Sequence, residues 1–174
     1  MGRWFNASLV DGPNPAVFCD AATLGLDTEG LSRLKDNVTL LRQLESIRLQ
    51  ATVRMGIARD LADAAQYQAI PKLSLLEKPG PSEAGVRATT LSMGIPHKAI
   101  PVTIGLSLAI AMATGDSVAG RLTTGKRIYH PTGYLDVEAS SSRDKGARGT
   151  EGSTGMRASV RRSARRLMRG TVFL

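Results

Sequence analysis

The sequence is poor in cysteine and in aromatic residues, and both shortages narrow the range of possible proteins. Its 174 residues include one cysteine, Cys19, and 4% aromatic residues. A single cysteine excludes an intramolecular disulfide and argues against a structural zinc site. With so few aromatic rings, the core of a single domain of ordinary size must be built from Leu, Ile, Val, Met and Ala.

Long hydrophobic runs and targeting signals are also lacking. No run reaches the roughly 18 apolar residues that a transmembrane helix needs, and the residues after Met1 do not form the apolar centre of a signal peptide. We therefore expect an intracellular protein, located in the cytoplasm or within a virion, that is neither secreted nor membrane-spanning.

Sequence motifs of well-known enzyme classes are absent. The chain contains no GxxxxGK[ST], GxGxxG, HExxH or GxSxG. Its two histidines, His97 and His130, lie next to prolines in predicted turns, and a pairing with Asp136 or Glu138 could support acid–base chemistry. Histidines in turns are more often structural or solvated. We therefore predict that the protein is not an enzyme and has no catalytic residue, cofactor or metal.

A stripe of apolar and small residues, spaced by three or four positions, runs over residues 28–70. This spacing predicts one long helix. Asp27 and Thr28 are the candidate N-caps, and Pro71 ends the pattern because proline cannot continue a helix. Gly56 lies where the stripe changes from leucine-rich to alanine-rich. Because glycine inside a helix costs roughly 1 kcal/mol relative to alanine, a break near this residue is an alternative.

After this helix the period of the pattern changes. From Ile100 to Met112 apolar residues alternate strictly with small ones, which predicts a half-buried strand, with a buried helix as the alternative. Weaker alternation precedes this segment, and residues 134–139 alternate between apolar and acidic positions. The predicted fold class is α+β, with a long N-terminal α-helix followed by a small antiparallel β-meander and a basic C-terminal helix.

The same patterns suggest how the chain is divided. The predicted segments are an irregular N-terminal arm at 1–27, the long helix at 28–70, a β-rich part of the same domain at 71–139, a flexible linker at 140–155, an arginine-rich helix at 156–169 and a C-terminal end at 170–174. The arm follows from two prolines in a turn-rich stretch. The linker follows from its richness in Ser, Gly and charged residues.

Positive charge is concentrated in the tail. Residues 143–174 hold 9 of the 23 Lys and Arg residues but 2 of the 15 Asp and Glu residues, so most of the net charge of +8 lies there. Arginine favours bidentate contact with phosphate oxygens. We therefore predict contact with a nucleic-acid backbone, independent of base sequence and to RNA more than DNA. The predicted contact residues are Arg157, Arg161, Arg162, Arg165, Arg166 and Arg169.

Together these features predict a non-enzymatic structural protein of a nucleoprotein particle, organised like a viral coat, nucleocapsid or ribosome-associated protein. Its body would self-associate, and no small-molecule substrate is evident. One alternative is a peripheral membrane or matrix-type protein that places the same tail on anionic lipid. Another is a small enzyme or regulator with an unrecognised site.

Overall fold

The structure is a computed structural model that describes residues 6–143 and 154–171. Within these ranges the strands are β1 (Ala7–Val10), β2 (Ala16–Asp20), β3 (Lys72–Glu77), β4 (Gly85–Ser92), β5 (Ile95–Pro96), β6 (Arg127–His130), β7 (Gly133–Arg143) and β8 (Thr154–Val160). The α-helices are α1 (Thr28–Ser32), α2 (Val38–Arg54), α3 (Leu61–Ala64), α4 (Val102–Ala113) and α5 (Val118–Leu122). Short 3-10 helices span Ala21–Leu24 and Leu34–Asp36.

The strands form one mixed sheet in the order β1-β2-β3-β4-β6-β7-β8, with the short β5 paired to β4 beside this path. The pairs β2–β3 and β4–β6 are parallel, and the other pairs are antiparallel. Helix α4 packs against β1 and β2 near one end of the sheet and against β7 and β8 at the other. The sheet therefore curls around α4 as a half-barrel.

The inner face of this sheet and α4 share one hydrophobic core. Ile104 and Leu108 of α4 are fully buried and pack in the same cluster as Phe18 of β2. Small residues on the helix let the strands come close: a Cβ added at Gly105 would lie 3.0 Å from Cδ1 of Leu135 on β7. The centre of the half-barrel is thus filled by a helix that has no polar side.

The outer face of the sheet is covered by α2. Leu44 and Ile47 of this helix pack in a second cluster with Val17 of β2 and Leu73 of β3. Strands β2 and β3 are consequently buried on both faces, which is why each reads as a nearly continuous buried run.

The prediction of a long N-terminal helix over residues 28–70 is wrong. Helices α1, α2 and α3 occupy this stretch, separated by turns that polar caps and glycine create. The Asn37 side chain accepts a hydrogen bond from the backbone N–H of Leu40 at 3.0 Å and begins α2. Gly56 has a φ of +70° after the end of α2, and Asp60 caps α3. The apolar spacing continues from α1 into α2 because both helices present their apolar sides to the same core.

Residues 102–113, where alternation predicts a strand, form helix α4 instead. The pattern misleads because small residues, and not polar ones, fill the positions between the apolar ones. A helix that is buried on nearly all sides and a strand that is buried on both faces then have the same sequence pattern. The strand prediction for this segment is wrong, and the alternative of a buried helix is confirmed.

The predicted basic C-terminal helix is also absent. Residues 154–160 form strand β8, which pairs with β7 from Val137 opposite Val160 to Arg143 opposite Thr154, and residues 161–171 have no regular secondary structure. Pairing with a distant strand overrides the local helical spacing of the arginines. Of the predicted linker, residues 140–143 belong to β7, and residues 144–153 lie outside the described residues.

The antiparallel meander is replaced by a mixed sheet that recruits the N-terminal region. β1 and β2 both come from the first 20 residues, and Val17, Phe18 and Cys19 are fully buried. Two prolines, Pro13 and Pro15, directly before a four-residue apolar run made this stretch look irregular. In the part of the chain that the structure describes, no helix is long and apolar enough to cross a membrane.

Candidate functional site

The N-terminal end of α4 has the properties of an anion-binding site. Pro101 precedes the helix, and in the described chain no side chain caps this end. The first N–H groups of an α-helix have no partner inside the helix, and the helix dipole places a partial positive charge there. Val102 and Thr103 in the first turn are exposed. A small anion can therefore reach these N–H groups from solvent.

The loop between β1 and β2 is attached to this end of α4 through Ser107. The Ser107 hydroxyl donates to the backbone carbonyl of Asn14 at 2.8 Å, and its oxygen lies 3.3 Å from the Asn14 backbone N–H. Gly12 allows this close approach, because a Cβ at that position would lie 2.7 Å from the Ser107 oxygen. Asn14 is thereby held against the first turns of the helix.

The side chain of Asn14 offers a free acceptor at this place. Its Nδ2 donates to Oγ1 of Thr103 at 3.4 Å. Its Oδ1 is buried and has no hydrogen-bond partner among the described residues. Because a buried polar atom without a partner costs about 1–3 kcal/mol, the unpaired oxygen marks a position where a donor on a bound molecule would stabilise the site.

The turn between β6 and β7 reaches the same end of α4 from another direction. Thr132 Oγ1 donates to the backbone carbonyl of Lys98, four residues before the helix, at 2.8 Å. Nδ1 of His130 lies 3.3 Å from both the backbone nitrogen and Oγ1 of Thr132. This contact brings the exposed Lys98 and the half-buried His130 next to the segment that leads into α4.

Burial lowers the pKa of His130 below its ordinary value. The positive charge of Arg162 lowers this pKa further, and the nearby carbonyl of Lys98 acts in the opposite direction. The imidazole is therefore neutral at physiological pH, with Nδ1 able to accept the Thr132 N–H and the other ring nitrogen carrying the proton.

Arg162 reaches this end through the pairing of β8 with β7. Val160 lies opposite Val137, and the backbone N–H of Arg161 donates to the carbonyl of Asp136 at 2.9 Å. The next step of the same register places Arg162 opposite Leu135, the residue that contacts the first turn of α4. Lys98, His130 and Arg162 thus belong to segments that lie next to the uncapped helix end.

The other candidate residues from the sequence lie away from this end. Asp136 pairs with Arg127 and Glu138 with Lys126, each at 2.6 Å, so the predicted association of a histidine with these carboxylates is not made. These hydrogen bonds lower the pKa of both carboxyl groups. The His97 backbone N–H donates to the carbonyl of Thr90.

Cys19 belongs to the core on the outer face of the sheet, and burial raises its pKa to about 12. It is therefore a protonated thiol without access to the end of α4. Within residues 6–143 and 154–171, no group of three His, Cys, Asp or Glu side chains is placed to hold a metal ion.

The six arginines predicted to bind nucleic acid do not share one helical face. Arg157 lies on β8, and Arg161, Arg162, Arg165, Arg166 and Arg169 lie on the segment after it, all exposed. Only Arg162 can be connected to the end of α4 through the strand register and its effect on His130. That the other arginines contact a ligand stays a prediction.

With this geometry in place, comparison with known proteins identifies the family. The family model described as PrpF protein matches residues 2–174. The chain belongs to the PrpF family. Two curated relatives are named 2-methyl-aconitate isomerase. The one from Shewanella oneidensis is 28% identical over 189 residues, covering 99% of this chain and 46% of that protein. The one from Cupriavidus necator is 25% identical over 183 residues, covering 95% and 45%.

A solved structure agrees with this PrpF assignment at the level of fold. The crystal structure of a methylitaconate-delta-isomerase superposes with a TM-score of 0.74 at 22% identity, covering 92% of this chain and 45% of that one. The chain spans about half the length of the curated relatives it matches.

These findings overturn the predicted role. The prediction of a non-enzymatic structural, virion or RNA-binding protein is wrong, because the chain belongs to the PrpF family and its curated relatives are named as isomerases. The predicted nucleic-acid partner and the predicted lack of a small-molecule substrate fall for the same reason. The alternative of an enzyme with an unrecognised site is the better description. The tail was misleading because an arginine-rich segment suits any anion and does not identify the class of ligand.

The residues around the end of α4 escaped the sequence analysis for a physical reason. Much of the site is backbone N–H, and its side chains come from positions 14, 98, 103, 130 and 162, far apart in the chain. Of these, His130 was considered only as a partner of Asp136 or Glu138, and Arg162 only as a contact to a nucleic-acid backbone. The one usable signal was local: an apolar segment that begins directly after Pro101, a few residues after His97 and Lys98.

Proposed function

We propose that this chain binds a small unsaturated polycarboxylate at the N-terminal end of α4 and acts as part of a PrpF-family isomerase. The observation that carries this proposal is the uncapped N-terminus of α4, with Lys98 on the segment that leads into it and the buried, unpaired Asn14 oxygen against its first turns. Relatives named for methylaconitate and methylitaconate support the substrate class, since both names denote unsaturated polycarboxylic acids.

The arrangement suits the chemistry of moving a carbon–carbon double bond in such an acid. Removing a proton next to the double bond spreads negative charge onto a carboxylate. Fixed donors aimed at that charge stabilise the transition state more than the ground state. The N–H groups of α4 and the ammonium of Lys98 are such donors, and the Thr103 hydroxyl and the Nδ2 group of Asn14, which are also donors, would orient the bound acid.

The proposal limits this chain to binding and charge stabilisation. Because the chain spans about half of its relatives' length, the complete activity is itself part of the proposal. We also propose the intracellular location expected from the sequence, because that location suits a metabolic isomerase. The expected virion location has no support once the assembly role is rejected.

Titration calorimetry with fumarate tests the binding step, using the full chain. Fumarate carries two carboxylates on a double bond and is fully ionised near neutral pH. Replacing Lys98 by alanine removes a charge-assisted contact worth about 1.5–3 kcal/mol, so affinity should fall by a factor of about 10 to 150. Lys78→Ala is the matched control, because Lys78 is exposed in the loop between β3 and β4.

Activity is then measured by following methylaconitate and methylitaconate by proton NMR, with Lys98→Ala expected to slow any isomerisation. If the unaltered chain does not bind fumarate at millimolar concentration, or if both lysine variants lose affinity equally, the proposed site is wrong.

A further inference from the structure

The inner face of the β6–β7–β8 ladder carries two polar residues at the end nearest the N-terminus of α4. Ile128 on β6 and Val137 on β7 face the core. Because side chains alternate along a strand, His130 shares the face of Ile128. Arg162 shares the face of Val160, which packs against the same core. His130 and Arg162 thus lie on the same face of the sheet as the inward-facing side chains of β6 and β8 that cover α4.

The register fixes how close this pair lies to the helix. Arg162 follows Arg161, whose backbone N–H is bonded to the carbonyl of Asp136, and so lies opposite Leu135. Leu135 meets the first turn of α4 at Gly105. His130 is opposite Gly133 across the adjoining turn. The pair therefore stands on the side of the helix end opposite Asn14.

The groups that face His130 come from three elements. Lys98 comes from the segment before α4, Thr132 from its own turn and Arg162 from the segment after β8. On its own strand, Arg127 lies on the other face and pairs with Asp136. Lys98 thus contributes its backbone carbonyl, which favours protonation of the imidazole, whereas the positive charge of Arg162 opposes it.

We propose that Arg162 and His130 form a second carboxylate contact of this site, and that His130 takes up a proton from solvent when the contact forms. This inference rests on the proposed function. One carboxylate of the ligand occupies the end of α4 with Lys98, and the other pairs with the guanidinium of Arg162. The second carboxylate offsets the positive charge of Arg162 at the imidazole and accepts a hydrogen bond from the protonated ring.

Two consequences follow from this geometry. An acid with two carboxylates bridges both contacts, whereas a monocarboxylate fills one, so the pair selects for polycarboxylates. Because the bound state holds an additional proton, affinity must rise as the pH falls through the range in which His130 titrates. Arg162 and His130 are positioning and specificity residues in this scheme.

Calorimetric titration with fumarate in two buffers of different ionisation enthalpy measures the proton directly. The unaltered chain should take up a substantial fraction of one proton per fumarate near neutral pH. Arg162→Gln and His130→Gln should abolish the uptake and weaken binding, with loss of the arginine contact costing a factor of about 10 or more. Arg165→Gln, on the same exposed segment, should change neither quantity. Acetate should bind without proton uptake.

The outcomes separate the two proposals. Fumarate binding without proton uptake, or uptake that persists in His130→Gln, overturns this inference and leaves the proposed function intact. Absence of fumarate binding overturns both. Far-UV circular dichroism checks each variant, and if His130→Gln does not fold, the substitution of the exposed Arg162 still decides the question.

Discussion

Removing the Ser107 hydroxyl should both destabilise the protein and weaken ligand binding. In Ser107→Ala, the Asn14 carbonyl loses its 2.8 Å hydrogen bond and the Asn14 N–H loses its acceptor. Each such bond contributes about 0.5–1.5 kcal/mol net, so the pair amounts to about 1–3 kcal/mol. The higher helix propensity of alanine offsets about 0.5 kcal/mol of this loss in the free energy of unfolding. For a chain of this size, a net loss of 2 kcal/mol corresponds to about 4–8 °C in Tm.

The assay is urea unfolding followed by fumarate titration on the same samples. Ser46→Ala is the matched control, because Ser46 is an exposed serine within α2 whose oxygen accepts only a 3.4 Å bond from Gln50. It gains the same helix propensity without losing a buried bond, so its stability should be unchanged or slightly raised.

Ligand binding provides the second half of this prediction. Without Ser107 the loop no longer holds Asn14 against α4, so fumarate affinity should fall by roughly threefold or more, about 0.7 kcal/mol. Equal stabilities for Ser107→Ala and Ser46→Ala would refute the energetic reasoning. A destabilised Ser107→Ala that binds fumarate normally would show that Asn14 is not part of the site.

Substitutions at two buried positions and one thiol reaction test the fold. Arg48 is buried on α2, pairs with a glutamate and donates to two backbone carbonyls of the loop before β3. Arg48→Met should therefore cost about 3–5 kcal/mol in urea unfolding, whereas the exposed Arg42→Met should cost less than about 0.5 kcal/mol; similar values for both would contradict the buried contact. At Gly85 a Cβ would lie 1.8 Å from a backbone oxygen of β6. Gly85→Ala should thus prevent soluble folded expression, while Gly80→Ala, with 3.5 Å to its nearest atom, should fold normally. The Cys19 thiol, with its pKa raised to about 12 by burial, should not react with a thiol reagent at mildly alkaline pH until the protein is unfolded; rapid reaction of the folded protein would contradict its burial.

The sequence was most informative where one face of an element meets water. The alternation over residues 134–139 corresponds to β7, whose Leu135 and Val137 are buried while Glu138 is exposed. It was least informative where an element is buried on all sides, as in α4 and in β2. In such an element no polar positions recur between the apolar ones. The sequence then shows neither whether the apolar residues follow a helical or a strand period nor which element they pack against.

The candidate site was harder to predict than the fold. Lys98 and Thr103 become candidate site residues only because a helix begins between them. No helix begins there if residues 100–112 form a strand, as the alternation predicts. Arg162 was singled out for its charge, but its place depends on the pairing of β8 with β7. A site built from backbone groups and long-range register leaves little local trace in a sequence.

The parallel pairing of β2 with β3 determines how the chain can assemble. Ala16 lies opposite Lys72, so the intervening helices must be arranged before these central strands can meet. The inner face of β2 is completed only when α4, still further along the chain, packs against Phe18. During synthesis β2 can pair with β1 at once, but it lacks its second neighbour until β3 has emerged and its helix until residues beyond 111 have emerged. Such non-local closure makes folding slow and leaves an apolar segment exposed to aggregation in the growing chain.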